Sequence, residues 1–257
     1  AAAPELLLLE LCRFAATTSS AGLVRMGLGG LAMNMPFYVA PEQMMKDRAD
    51  FAQKGIARGR SLVAVEFTDG VLLCAENPSR NLRKVSEIYD RIAFAGVGRY
   101  NEYDQLRVAG IRHADVKGYT YSRDDVDPQA LANQYAQMLG QIFTHETKPL
   151  EVEILVAAVG FERDGDRMFH IRYDGSVTDE DGFAVLGGEA DSIKERLAAA
   201  YGDGMDAAAS LRAAVAALAG DDRTLSPDEL EVGILDRADE GRCFRRLENG
   251  DITDLLG

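Results

Sequence analysis

The chain has 257 residues and a formal net charge of −14, from 28 Lys and Arg against 42 Asp and Glu. This acidic balance excludes nucleic acid as the main partner, because a phosphate backbone binds to basic surfaces. Hydrophobic residues make up 47% of the chain, which suffices for a sizeable core, and every apolar run falls short of the about 20 residues that a membrane span requires.

The first 34 residues are rich in Ala, Leu and Gly and show neither a helical nor a strand period. They have no basic start, and the apolar run Leu6–Leu9 stops at Glu10, so the segment does not fit a secretory signal. We interpret residues 1–34 as an unassigned extension, either disordered or upstream of the true start, with Met26, Met33 and Met35 as alternative initiators. Residues 35–257 are predicted to form one domain.

From Pro41 onward the sequence predicts pairs of strands and pairs of helices. The first element is an amphipathic helix over residues 41–58, with proline at its first position and one apolar stripe of Met45, Ala49, Ala52 and Ile56. Strands are expected at 62–67, 71–75, 85–89, 92–97, 152–159, 168–173, 183–186, 230–235 and 243–247. Helices are expected at 100–114, 128–147, 190–201 and 205–218, and Asp127 is the predicted cap of the second of these.

This order differs from the strict alternation of a parallel doubly wound sheet. Two antiparallel sheets that face each other, each with a helix pair on its outer face, would bury every apolar stripe. The sequence therefore predicts an α+β fold, a four-layer α/β/β/α sandwich.

Seven segments between Met35 and the C terminus carry a resemblance to a known family: residues 36–43, 54–58, 75–80, 98–104, 135–137, 173–176 and 187–188. In their sequence and in their order along the chain, they resemble the proteasome α-type subunits, specifically the actinobacterial type. The Tyr-Asp-Arg element of the archaeal and eukaryotic α-type pattern is absent, so a gate mechanism does not transfer residue by residue from those relatives.

The resemblance implies the N-terminal nucleophile hydrolase fold and a non-catalytic role in the cytoplasm. Six further α subunits would complete a heptameric outer ring, and the inner rings of β subunits would carry the threonine protease sites. An AAA ATPase ring or another activator would dock through its C-terminal tails and deliver unfolded, tagged proteins. The resemblance implies no cofactor and no membrane partner.

Catalysis by this fold requires Thr, Ser or Cys as the first mature residue, because the free α-amine is the base. Counting back from Asp69-Gly70 places Arg60 near the nucleophile position of β-type chains, and arginine cannot perform this chemistry. Cleavage after Arg60 would expose Ser61 and remove the first helix. A self-processed amidohydrolase or peptidase is therefore the alternative function, and a ring-forming binding protein unrelated to proteolysis is the third.

Lys84 matches the position of the β-type active-site lysine. In α-type families this lysine lines a pocket between neighbouring subunits and pairs with the C-terminal carboxylate of an activator, so the resemblance implies a docking site of Lys84, Gly59 and Gly98. An ammonium on a flexible stem suits a terminal carboxylate. On spacing alone, a solvated lysine at a strand edge is the favoured interpretation of Lys84, and both glycines are equally strand-end glycines.

The segment before the first helix is predicted to be a gate, formed by Met35, Pro36, Phe37, Tyr38, Val39 and Ala40. Seven copies would converge near a ring axis, where the apolar side chains associate weakly enough for a partner to displace them. The alternative is a tail without a role. The helix over 41–58 is predicted to cover the mouth of the sandwich and to support ring packing, so that Ala52→Asp blocks ring formation.

Other polar motifs do not indicate a metal or cofactor site. The three cysteines and the three histidines, His113, His145 and His170, lack metal-ligand spacing, and the cysteine usage favours a reducing compartment. Asp124-Asp125 lacks the glycine and glutamate of a calcium loop. Gly187-Gly188 lacks the lysine of a phosphate loop, so we interpret it as strand-to-helix packing.

Overall fold

The computed structural model describes residues 40–257 except Arg80 and Glu240. The described residues form ten strands: β1 (Leu62–Phe67), β2 (Gly70–Glu76), β3 (Val85–Tyr89), β4 (Ile92–Gly98), β5 (Val152–Ala158), β6 (Arg167–Ile171), β7 (Val177–Asp179), β8 (Phe183–Leu186), β9 (Leu230–Asp236) and β10 (Phe244–Arg246). The helices are α1 (Pro41–Ile56), α2 (Tyr100–Thr120), α3 (Pro128–His145), α4 (Ala190–Ala200), α5 (Ala207–Ala219) and α6 (Asn249–Leu256). None of these helices is both long and apolar enough to cross a membrane.

The strands form two five-stranded sheets in which every pair is antiparallel. The first sheet has the order β10-β9-β2-β1-β8, and the second has the order β3-β4-β5-β6-β7. Successive side chains of a strand point to opposite faces. In β1, Leu62 and Ala64 accordingly join the core between the sheets, while Val63 and Val65 join the core beneath the helices on the outer face. Burial on both faces explains why β1 reads as an almost continuous apolar run.

Three apolar cores separate four layers. One core lies between the two sheets, one lies between the first sheet and helices α4, α5 and α6, and one lies between the second sheet and helices α2 and α3. The predicted α/β/β/α sandwich is therefore confirmed. The predicted cap of α3 is confirmed as well, because Asp127 Oδ2 accepts a hydrogen bond from the Ala130 amide at 2.8 Å.

Most elements differ from the prediction by one or two residues at an end, and three differ by more. Helix α2 continues six residues beyond the predicted end at Ala114, which was placed too early because Gly118, where the helix packs on the buried Tyr89, leaves a gap in the apolar pattern. Strand β7 was missed because its three residues are all exposed and give no alternation. Helix α6 was missed because only Ile252 of its eight residues is buried.

Candidate functional site

The C-terminal half of α1 fills the mouth between the two sheets. Ala52 and Ile56 belong to the core between the sheets, and Ala49 packs against that core. Met45 is 37% exposed and points away from it. The predicted stripe is thus divided: three of its residues pack within their own subunit, and only Met45 is available to a neighbour.

The segment that follows α1 lies directly on glycines of both sheets. A Cβ atom on Gly59 would lie 3.1 Å from the Gly98 amide nitrogen, and one on Gly188 would lie 2.6 Å from the Ala57 Cα. Gly98 has a φ of +106°, and a Cβ there would lie 2.0 Å from the Glu151 carbonyl oxygen. Only glycine fits at Gly98, because the conformation and the space both exclude a side chain.

The side chain of Lys84 reaches the same segment. Its Nζ donates a hydrogen bond to the carbonyl oxygen of Arg60 at 2.6 Å, one residue beyond Gly59. The structure therefore brings together the three residues of the predicted docking site, which lie in the segment after α1, directly before β3 and at the end of β4. The contact with Arg60 also places Lys84 beside the position that the sequence indicated for a nucleophile.

Arg60 takes part in an ion cluster at the end of β2. Its guanidinium pairs with the carboxylate of Glu76, which is 5% exposed, and Arg223 Nη1 lies 3.2 Å from the same carboxylate oxygen. A carboxylate shared by two guanidinium groups is well compensated for its burial. The position that the sequence indicated for a nucleophile thus carries a paired cation.

Burial lowers the pKa of Lys84 to about 8, and the neighbouring carboxylates of Glu231 and Glu76 oppose this shift. The positive charge of Arg60 acts in the same direction as burial. Desolvation disfavours an ammonium, whereas an opposite charge stabilises it. Lys84 is therefore positively charged at neutral pH and loses its charge as the pH rises through about 8.

Ser61 is the only hydroxyl proposed as a nucleophile. It follows Arg60 directly and is buried. A Cβ atom on Gly187 would lie 2.8 Å from the Ser61 Oγ, so the glycine allows the strand-to-helix turn to approach it closely. Cleavage after Arg60 would have to release α1, which contributes Ala52 and Ile56 to the central core. The glycine pair at 187 and 188 serves packing, as the sequence indicated.

The histidines do not form a shared site. His170 is buried with its Nε2 3.7 Å from a Glu153 oxygen and its Nδ1 3.7 Å from a Glu180 oxygen. His145 Nδ1 lies 3.1 Å from the Gln141 carbonyl oxygen within α3. Within the described parts of the chain, no group of three or more His, Cys, Asp or Glu residues could hold a metal ion.

Sequence reasoning missed the acidic residues that surround Lys84. Glu76 and Glu231 are buried carboxylates at the ends of otherwise apolar strands. A charged residue inside the run Leu230–Leu235 was the available signal, because an unpaired carboxylate is not tolerated in a buried strand. Of the predicted gate, residues 35–39 lie outside the described residues, and Ala40 is exposed at the start of α1.

Comparison with known proteins gives a consistent result. The family model described as "Proteasome subunit" matches residues 56–235. A protein named "Proteasome subunit alpha" from Acidimicrobium ferrooxidans is 59% identical over 225 residues, covering 88% of this chain and 97% of the relative. Proteins with the same name from a Nocardioides species and from Acidothermus cellulolyticus are each 54% identical over 230 residues, covering 88% and 87% of this chain and 90% and 98% of the relatives.

Proposed function

Because this chain belongs to the proteasome subunit family and is similar to its alpha subunits, we propose that it is a non-catalytic α-ring subunit of a bacterial 20S proteasome core. In this role it forms the heptameric outer ring on the β subunits, gates substrate entry and docks an activator. The particle is a threonine-type endopeptidase complex of the cytoplasm that degrades unfolded, tagged proteins. The β subunits supply the catalytic threonines.

One observation carries the non-catalytic role: Arg60, which lies near the position expected for a nucleophile, is paired with Glu76 and accepts a hydrogen bond from Lys84 at its carbonyl oxygen. Catalysis would require a hydroxyl or thiol beside a free amine. Arg60 is instead joined by a short segment to α1, whose residues Ala52 and Ile56 are buried between the sheets. This arrangement favours a scaffold over a processed hydrolase.

Activator docking is supported by the placement of Lys84, Gly59 and Gly98. An ammonium has three donors, and the bond to the Arg60 carbonyl oxygen uses one of them. The two glycines let the segment after α1 pack directly against the end of β4, since a Cβ atom on Gly59 would lie 3.1 Å from the Gly98 amide nitrogen. A C-terminal carboxylate of an AAA ATPase tail would pair with the remaining donors of the Lys84 ammonium.

Ring packing is supported by the outer face of α1. Met44, Met45 and Phe51 are 46%, 37% and 45% exposed, although all three are large apolar side chains. They lie on the helix that also fills the mouth of the sandwich, so the helix is anchored to its own subunit. The proposed occupant of this face is the neighbouring α subunit of the ring.

The gate proposal concerns residues 35–40, directly before α1. Proline at the first position of α1 and the Met44 amide bonded to the Ala40 carbonyl oxygen at 3.0 Å fix the start of the helix. Deleting residues 1–40 should raise the rate of peptide hydrolysis by the assembled core particle. An unchanged rate in particles of normal size would contradict gating while leaving the ring role intact.

The decisive experiment is co-expression with a β-type partner followed by analytical sedimentation. We expect a particle of four stacked rings that hydrolyses peptides only when the β nucleophile is intact. A ring that never binds β subunits would favour a binding protein unrelated to proteolysis. The intact mass of the purified chain tests the remaining alternative, because a new terminus at Ser61 would indicate a processed hydrolase.

A further inference from the structure

Glu231 is a buried carboxylate on β9 whose partners belong to the segment that presents Lys84. Only 4% of the residue is exposed. Its Oε2 accepts the backbone amide of Lys84 at 2.9 Å, and its Oε1 accepts the amide of Val85 at 3.3 Å. The Asn77 Nδ2 donates to Oε2 at 2.6 Å. These bonds connect β9 with both ends of the loop between β2 and β3.

Arg246 completes the arrangement from β10. Its Nη1 pairs with the Glu231 carboxylate, and its Nη2 donates to the Val85 carbonyl oxygen at 2.6 Å. The carboxylate and the guanidinium therefore hold Val85 through its amide and its carbonyl group. Buried charges that are paired and fully hydrogen-bonded specify one arrangement of the segments they join. The backbone of Lys84 is held in one position from which its side chain reaches Arg60.

We infer that Glu231 is the positioning residue for Lys84: it fixes where the ammonium is presented and keeps it charged. The inference rests on the proposed docking function for its biological role. Glu231 itself does not contact the docked tail. It acts through the Lys84 backbone by hydrogen bonds and through the ammonium by its negative charge.

The electrostatic part of the inference follows from the groups that face Lys84. These are Glu231 on β9, Glu76 on β2 and Arg60 after α1. Arg246 on β10 and Tyr103 on α2 interact with Glu231. Burial and Arg60 lower the pKa of Lys84, and the two carboxylates raise it. Removing the charge of Glu231 must therefore lower the pKa of Lys84 further, and the ammonium would lose its proton closer to neutral pH.

The test is the pH dependence with which acetic anhydride acetylates Lys84 in the folded full-length chain, read by peptide mass spectrometry. In the wild type we expect a midpoint near pH 8. In Glu231→Gln the midpoint should fall by about one pH unit. In a variant that had merely unfolded, the midpoint would rise instead, because an exposed lysine has a pKa of about 10.4.

Asp166→Asn is the matched control. Asp166 is also a buried carboxylate paired with an arginine, Arg237, whose Nη1 donates to Thr68 at the far end of β1. A six-residue strand separates the two sites by about 20 Å. Equal midpoints for the wild type, Glu231→Gln and Asp166→Asn would overturn the inference.

A second measurement separates this inference from the docking proposal. Assembled rings are titrated with a fluorescent peptide that carries the activator's C-terminal residues, and with the same peptide as its C-terminal amide. If wild-type rings bind both equally, docking through the carboxylate is wrong, and the acetylation midpoints still decide the role of Glu231. If wild-type rings prefer the carboxylate, Glu231→Gln should reduce that preference at pH 8 by about fivefold and Asp166→Asn should not.

Discussion

The Lys84 Nζ and the Arg60 carbonyl oxygen are 2.6 Å apart, so the ammonium is bonded to the backbone that follows the first helix. This contact joins the start of β3 to the closed mouth of the sandwich. The guanidinium of Arg60 is paired with Glu76. In the proposed docking, the remaining donors of the Lys84 ammonium bind a carboxylate.

The first prediction concerns the pH dependence of activator docking. The pKa of Lys84 lies at about 8, below its ordinary value, so the charged fraction falls as pH rises through that value. Only the charged form pairs with a carboxylate, and the affinity for the activator tail should therefore fall about tenfold between pH 7 and pH 9. Fluorescence anisotropy on assembled rings measures this. Lys84→Arg, which stays charged, should give a flat profile, and a flat wild-type profile would contradict the prediction.

The second prediction separates the two faces of α1. Ala52→Asp should destabilise the isolated subunit by about 3–5 kcal/mol, because it places an uncompensated charge between the sheets. Loss of rings would then follow from a damaged subunit core. Its neighbour Phe51 is 45% exposed, so Phe51→Asp should change the stability of the subunit by less than about 1 kcal/mol and still abolish rings. Urea unfolding and size-exclusion chromatography report the two effects, and equal stabilities for both variants would disprove the assignment.

The third prediction concerns the close approach of α2 and α3. A Cβ atom on Gly110 would lie 1.8 Å from the buried Tyr135 hydroxyl oxygen, which donates to the Leu106 carbonyl oxygen at 3.0 Å. Gly110→Ala should therefore cost about 1–3 kcal/mol in the free energy of unfolding. Gly140→Ala is the control, since its nearest contact would be an ordinary 3.5 Å. That variant should be neutral or stabilising by up to about 1 kcal/mol, and the reverse order of stabilities would refute the packing argument.

The fourth prediction concerns the buried pair of Arg237 and Asp166. The side chain of Asp166 is 2% exposed, and its Oδ1 also accepts the Gly160 amide at 2.9 Å. Arg237→Met should cost about 3–5 kcal/mol, because it leaves a buried carboxylate without its cation. The double variant Arg237→Met with Asp166→Leu should recover part of that loss. Chemical denaturation of the single and double variants measures the coupling, and strictly additive losses would show that the pair is not coupled.

Much of the fold could be predicted from local sequence patterns. The runs Leu62–Phe67 and Phe183–Leu186 give the observed strands β1 and β8 residue for residue. Both are short and apolar and are bounded by turn residues, which is a local signal. Strand β7 and helix α6 escaped prediction because their burial is too small to leave a period. The predicted length of α2 was too short. Gly110 and, beyond the predicted end, Gly118 interrupt the apolar pattern where the helix packs most closely.

The candidate site was predicted in part. The positions of Lys84, Gly59 and Gly98 came from the resemblance to a known family, and the structure places them together. For α1, the sequence predicted an apolar face and a polar face, but not which residues of the apolar face are buried. The sequence predicted that the stripe covers the mouth of the sandwich, and Ala52 and Ile56 do so. It did not indicate that Met45 stays exposed, because an apolar stripe looks the same whether it contacts its own sheets or a neighbouring chain.

The sequence by itself determined the order of the four layers and the presence of arginine, Arg60, just before the first strand. Both are local properties, set by side-chain periodicity and by residue identity. Only the tertiary structure decided that Glu231 holds the backbone of Lys84, 147 residues away along the chain. The physical reason is that the charge of a buried lysine depends on the distances to the groups that face it, and those distances exist only after the two sheets have packed against each other.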